Sequence, residues 1–284
     1  MNSVDFDFLR RFLYERSGLA LTPDKAYLIE SRLTPIARRL RLKDVEDLIA
    51  LLRRDGRAPV GMQVVEAMTT NETLFFRDGW PFERFRTTLL PELMNQNQHT
   101  RRIRIWCAAC SSGQEPYSLA MLLAEAGRQL DGWYVDLIAT DISEEMLQRG
   151  RDGWYSAFEV QRGLSPELLK KYFVKDGEGW RIDEKLRAMV KFRNFNLLSD
   201  PVAAALGPLD LIFCRNVLIY FDEITRKRVF AGMARVLRPG GFLCLGGAET
   251  VIGISDAFRI LPGERGVFGL TPQPALAAAA APSY

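Results

Sequence analysis

The chain of 284 residues carries 38 Lys and Arg against 35 Asp and Glu, four Cys and a single His, for a formal net charge of +3. One imidazole excludes a multi-histidine metal site or HExxH zinc helix, and His99 sits in the polar run Asn95-Gln96-Asn97-Gln98-His99-Thr100, a poor setting for a catalytic triad. Four Cys make no secreted disulfide framework, the charge is too weak to argue for nucleic acid, and no run reaches the roughly 18 to 20 apolar residues of a membrane span. With no signal peptide at Met1-Asn2-Ser3-Val4-Asp5, the expectation is a cytoplasmic globular protein of one or two domains.

Helices come first. Phe6, Leu9, Phe12 and Leu13 recur at helical spacing and stop at Gly18. Thr22-Pro23 reads as a cap followed by proline in the first turn, opening a second helix. On it Lys25, Arg32 and Arg39 recur every seven residues, which at about 100° per residue places them on one stripe, with Arg38 and Arg41 adding charge. The stripe reads either as a solvated face or as a surface recruiting an acidic partner helix, and Pro35 threatens its register. Asp44 opens a third helix with Val45, Leu48, Ile49 and Leu52 on one face, ending near Gly56, and helical periodicity resumes at Val64, Val65 and Met68. The segment 69–78 then joins a dense polar cluster to the pair Phe75-Phe76. Its plain account is helix capping, with Arg77 paired to Asp78 or Glu72.

From Arg101 the pattern turns to alternating strand and helix: strands at 103–107, 135–140, 209–214 and 242–245, and helices at 116–130, after a cap at Ser143, and at 222–237. Such alternation means a parallel sheet flanked by helices. The runs 172–175 and 179–182 flank Asp176-Gly177-Glu178 and read as an inserted hairpin. The expected organisation is a helical domain over 1–90, an α/β domain over 91–271 with a β-hairpin insertion near 165–190, and a disordered Pro/Ala tail over 272–284.

In an open parallel sheet, ligands bind beyond the carboxyl ends of the strands, so the loops there matter most. After the first strand comes Ala108-Ala109-Cys110-Ser111-Ser112-Gly113-Gln114-Glu115-Pro116, either a close-approach loop for a ligand or a plain tight turn; it is neither GxGxxG nor a Walker loop. After the second comes Asp141, suited to a ribose diol or to supporting the cap at Ser143. After the later strand, Arg215, Asn216 and Tyr220 suit a polar ligand, while Tyr220 and Phe221 also suit a core. Cys107 and Cys110 form a CxxC without partners for zinc or a thioredoxin-like context, so buried small hydrophobes are expected.

Together these segments resemble the CheR family of S-adenosylmethionine-dependent methyltransferases, which esterify glutamates on bacterial chemotaxis receptors. The likeness spans about residues 5–270 and rests on six motifs in order: Thr70-Asn71-Glu72-Thr73-Leu74-Phe75-Phe76-Arg77, Trp106 to Ser118, Ala139-Thr140-Asp141-Ile142-Ser143, Asn196-Leu197-Leu198, Ile212 to Phe221, and Leu237-Arg238-Pro239-Gly240-Gly241. The resemblance implies an all-helical N-terminal domain packed on a class I, Rossmann-like methyltransferase sheet, with a small inserted antiparallel β-subdomain. It implies that Asn71, Thr73 and Arg77 reach over the cofactor, and that Glu115 and Asp141 contact its methionine and ribose parts. Asn196, Leu197, Arg215 and Asn216 would complete the pocket, and Arg77 and Tyr220 would lie at the transferred methyl. Lys25, Arg32, Arg38 and Arg39 become the expected receptor-binding residues. The implied partner is the cytoplasmic helical bundle of chemoreceptors, with a monomeric enzyme recruited to receptor arrays and no metal. Gln114 stands where many relatives carry a second acid.

The inventory suits that chemistry. A glutamate side chain, with a reference pKa of about 4.3, is already ionised near neutral pH and needs no general base. The enzyme then has only to hold a carboxylate oxygen in line with the methyl and strip water from it. The alternatives are a methyltransferase acting on a nitrogen acceptor and a non-catalytic cofactor-binding scaffold.

Overall fold

The computed structural model describes residues 1–56, 59–199 and 206–272; apart from Pro272, the tail expected to be disordered lies outside the described residues. Helix α1 (Ser3–Ser17) begins where Asn2 accepts the Asp5 N–H and ends at Gly18, whose φ of 75° is the left-handed turn glycine adopts freely. Thr22-Pro23 opens only a 3-10 turn (Pro23–Lys25), and α2 (Tyr27–Arg39) starts after it and runs through Pro35. Lys25 is therefore off the helix, and the expected three-residue stripe reduces to Arg32 and Arg39. Asp44 caps α3 (Val45–Asp55), and α4 (Pro59–Met68) completes the bundle. Leu9, Leu13, Ile29, Leu33, Leu48, Ile49 and Val64 have no exposed surface and form its core; each such burial stabilises by about 1.5 to 3 kcal/mol.

Next come α5 (Trp80–Arg84), a π turn (Phe85–Leu89) and α6 (Leu90–Gln96). Phe82 and Phe85 pack against Phe213, one tilted and one edge-on, with ring centroids 6.1 and 6.4 Å apart, and Phe75, Leu89 and Leu93 join the same core. Packing thus divides the chain between Met68 and Phe75, not at the expected residue 90, because these aromatics bury themselves against the sheet.

The sheet domain runs β1 (Arg102–Ala108), α7 (Gln114–Ala126), β2 (Tyr134–Asp141) and α8 (Glu144–Asp152). An insertion follows: β3 (Trp154–Ser156), α9 (Ala157–Gln161), α10 (Pro166–Tyr172), β4 (Phe173–Asp176), β5 (Gly179–Ile182) and α11 (Glu184–Met189). The chain returns through β6 (Val190–Asn194), β7 (Leu209–Cys214), α12 (Glu223–Val236), β8 (Leu237–Leu245), β9 (Phe258–Ile260) and β10 (Val267–Leu270). Strand order is β6-β2-β1-β7-β8-β10-β9, the first five parallel and the last two antiparallel additions. Order reverses between β1 and β7, the position where open α/β sheets bind ligands.

The hairpin forms as expected, and β3 joins it in a separate three-stranded sheet of order β3-β5-β4. Helix α7 starts earlier than expected and gives way to a 3-10 turn over Gly127–Leu130. Arg238-Pro239-Gly240-Gly241 does not precede the last parallel strand but lies within it, across a register shift between Leu209 and Leu211. Proline lacks the donor and glycine the side chain that would keep a ladder regular, so the extra residues bulge. No described helix is long and apolar enough to cross a membrane.

Candidate functional site

Asn71, Thr73, Arg77, Glu115, Asp141, Asn196, Leu197, Arg215, Asn216 and Tyr220 all line one pocket at the carboxyl ends of β1, β2 and β7, with Ser17 and Leu19 of the helical domain on its rim. Sequence positions far apart meet there because each follows a strand or belongs to the 69–78 segment laid across the strand ends.

The loop after β1 runs along the pocket wall. It is a tight turn, with Ala109 and Ser111 in the left-handed region at φ 57° and 49°. Such backbone costs on the order of 1 to 3 kcal/mol per residue and persists only where surroundings enforce it. The Ser111 N–H donates to Asp141 Oδ2 at 2.8 Å, its hydroxyl donates to the Asn71 carbonyl at 2.7 Å, and the Cys110 N–H donates to the Thr140 carbonyl at 2.9 Å. Cys107 and Cys110 are buried and free, and burial pushes both thiols well up, which keeps them protonated and inert.

Asp141 supports the helix cap, as one of its two readings had it. Its Oδ1 accepts the Ser143 N–H at 2.9 Å, supporting the turn in which Ser143 caps α8, while the residue also faces the pocket. Burial raises its pKa, opposed by the backbone donors of Ser143, Ser111 and Ile142.

Glu115 and Arg215 form the charged floor. The Arg215 side chain is 1% exposed; its Nη1 donates to Glu115 Oε2 at 2.8 Å, and its Nη2 donates to Asp78 Oδ2 at 2.6 Å and to the Arg77 carbonyl at 2.9 Å. Burial raises the Glu115 pKa, with Arg215 the strongest opposing influence. Of the two partners its plain account allowed, Asp78 or Glu72, Asp78 is taken by Arg215 and Arg77 meets Glu72, though at its backbone: Arg77 Nη1 donates to the Glu72 carbonyl at 2.8 Å.

Asn196 joins the two domains: its Nδ2 donates to the Arg16 carbonyl at 2.6 Å and its Oδ1 accepts the Leu198 N–H at 2.9 Å. Tyr220 lines the pocket while its carbonyl accepts the Ala20 N–H, and Phe221 packs partly into the sheet core. The 69–78 segment is held from the insertion side as well. Phe75 makes edge contacts with Tyr155 and Phe173 at 5.0 and 5.5 Å, and a Cβ added at Gly163 would fall 1.8 Å from the Phe75 carbonyl oxygen.

Glu249 escaped the sequence reading. Its buried carboxylate accepts four backbone donors: Asn216 and Gly246 N–H on Oε2 at 2.9 and 2.8 Å, and Val217 and Leu218 N–H on Oε1 at 2.9 and 2.8 Å. This holds Asn216 at φ 59°. The available signal was positional: an acid shortly after a parallel strand, as with Asp141.

The basic residues of the N-terminal part lie elsewhere. Arg32 is a brace, donating from Nη1 to the Met68 and Thr69 carbonyls at 2.7 and 2.9 Å and from Nη2 to Thr70 Oγ1 at 3.2 Å. It caps the end of α4 and sets the course of the segment over the pocket. Arg39 donates to Gln63, and Lys25 and Arg38 are exposed; none of the four lines the pocket.

Two family models match the chain: "CheR methyltransferase, all-alpha domain" over residues 4–69 and "CheR methyltransferase, SAM binding domain" over residues 71–267. Their junction falls where packing divides the chain. The chain is 39% identical over 269 residues to the chemotaxis protein methyltransferase Cher2 of Pseudomonas putida, covering 93% of this chain and 97% of that protein. It is 40% identical over 269 residues to chemotaxis protein methyltransferase 1 of Pseudomonas aeruginosa, with the same 93% and 97% coverage. Against chemotaxis protein methyltransferase 1 of Vibrio cholerae the figures are 40% over 260 residues, 90% and 93%.

Proposed function

The chain belongs to the CheR methyltransferase family and uses S-adenosylmethionine as its methyl donor, and from that membership we propose that it methylates glutamate carboxylates of chemotaxis receptors, forming glutamyl methyl esters and leaving S-adenosylhomocysteine. The observation that carries this reading is a pocket built for binding and not for proton removal. Among the described residues no His or Lys lines it, and its acids are engaged: Glu115 by Arg215, Asp141 by two backbone N–H groups and Glu72 by Arg162 at 3.3 Å. An amine acceptor would have to lose a proton; a glutamate is already a nucleophile near neutral pH.

Bound S-adenosylmethionine would supply a sulfonium methyl to which an oxygen nucleophile bonds as the carbon–sulfur bond breaks, sulfur keeping the electron pair. The residues suit such a donor. Asp141 retains lone pairs for a ribose diol, Glu115 places a carboxylate where an ammonium group can pair, and Ile142, Phe195, Leu197 and Val217 offer an apolar slot for a purine. Asn71, Thr73, Asn196 and Asn216 supply polar contacts around it. Arg77 and Tyr220 are assigned to orienting the acceptor carboxylate, with Arg77 also available to the donor's own carboxylate. The partner in this reading is the cytoplasmic helical bundle of a receptor, met by a monomeric enzyme at receptor arrays, with the exposed Lys25, Arg38 and Arg39 facing acidic helices.

The decisive test supplies methyl-labelled S-adenosylmethionine and membranes carrying chemoreceptors. Label on receptors that mild base releases as methanol is the expected result; base-stable label would replace this reading with a nitrogen acceptor. For the donor site, Asp141→Ala should weaken S-adenosylhomocysteine binding by about tenfold or more in calorimetry, the scale of a lost charge-assisted hydrogen bond. An unchanged Kd overturns the ribose assignment.

A further inference from the structure

Asn216 lines the cofactor pocket and also a second cleft, whose walls include Asp78 just before α5, Trp80 and Arg84 at the two ends of that helix, Gly247 and Ala248 after β8, and Gly263 and Arg265 in the turn between β9 and β10. The cleft is constructed and not incidental. Arg84 Nε meets Glu264 Oε2 at 3.3 Å and ties the β9–β10 turn to α5. The Trp80 indole abuts Gly266, where an added Cβ would stand 2.5 Å from it. Asp78 is answered by Arg215, and Arg84 by Glu264, whereas Arg265 is exposed and makes no ion pair among the described residues. The uncommitted charge of the cleft is therefore positive. Above Gly247 there is open space, since a Cβ added there meets nothing within 4 Å.

We propose that this cleft receives the methyl-accepting side chain, an acidic residue projecting from the partner's surface, with Arg265 drawing it in and Asn216 standing at the junction with the cofactor pocket. The proposal deepens the receptor-glutamate reading and takes the acceptor's chemistry from it. It places acceptor entry between α5 and the β9–β10 turn, in a cleft that the basic residues of α2 do not line. A carboxylate arriving there meets a cation, an indole wall and a floor without bulky side chains, and Asn216 is the residue it shares with the donor.

Gly247→Leu fills the open space without forcing a left-handed backbone, and Arg265→Glu reverses the free charge. Transfer is measured for wild type and both variants with receptor membranes and, separately, with whole-cell protein as acceptor; cofactor affinity is measured by calorimetry. Gly247→Leu should lower kcat/KM for the acceptor by about tenfold or more with cofactor Kd within about twofold. Arg265→Glu should raise the acceptor KM several-fold at low salt, with the difference shrinking as salt screens it. Full transfer by Gly247→Leu, with either acceptor, overturns the cleft. If wild type labels whole-cell protein but not receptors, the receptor reading falls, while the ratio of Gly247→Leu to wild type on that protein still decides the cleft.

Discussion

Arg215→Met should lower folding stability by about 3 to 5 kcal/mol, the scale on which breaking a buried ion pair strands its partner. Two carboxylates lose their cation at once, Glu115 inside the pocket and Asp78 at its edge, and the Arg77 carbonyl loses a donor. The deficit should depend on pH. Burial already raises the Glu115 pKa, and Arg215 is the strongest influence holding it down. Without Arg215 the folded pKa climbs further, while the unfolded value stays near about 4.3. An acid with a raised folded pKa contributes stability below its unfolded pKa and loses it as pH rises through the folded one. The variant should therefore lie closest to wild type near the unfolded pKa and fall progressively behind toward neutral pH. Urea titrations at several pH values measure this, and adding Glu115→Gln to Arg215→Met should recover part of the neutral-pH loss. A deficit that does not change with pH would show that Glu115 does not carry it.

Glu249→Ala should be the next most damaging change, at about 3 kcal/mol, because four N–H groups lose one acceptor: the two buried ones, of Leu218 and Gly246, cost on the order of 1 kcal/mol or more each, and the two part-buried ones, of Asn216 and Val217, cost less. Glu249→Gln should retain about half of that, since one amide oxygen can still accept while the amide nitrogen faces donors. The functional consequence is separable from the structural one. Asn216 sits at positive φ because Glu249 holds its N–H, so freeing it should lower kcat more than it raises the cofactor Kd. Equal loss in both would mean that the carboxylate merely supports the fold.

The pocket was legible because its chemistry sits in short contiguous runs at strand ends, where composition departs from the apolar strands beside it. The loop after β1, Asp141 and the Arg215–Tyr220 segment all announced themselves this way, and the hairpin did so through Asp176-Gly177-Glu178. Other features lay beyond pattern. β6 is an edge strand with only Val190 buried, so it shows no alternation to count. Arg32 satisfies the arithmetic of a stripe, but face-counting says nothing about which carbonyls a guanidinium will find across 36 residues of chain. The junction near residue 70 was hidden because Phe82, Phe85 and Leu89 carry helical spacing in either domain; only the partner they pack on tells the domains apart. Glu249 had no local mark beyond its place, since its four donors are backbone groups that every residue owns.

Gly163 has a consequence for descent. With φ at 95° and the Phe75 carbonyl in the space a Cβ would occupy, no side chain can be introduced there without displacing the segment over the pocket. The crown of the inserted sheet meets no such obstacle: Val174 and Glu178 are exposed, and a Cβ at Gly177 would meet nothing within 4 Å, so there only the φ of 58° favours glycine. The insertion is thus anchored at a root that mutation cannot explore and finished with a rim that it can. Substitutions at the rim can therefore change what it touches without moving the segment over the pocket.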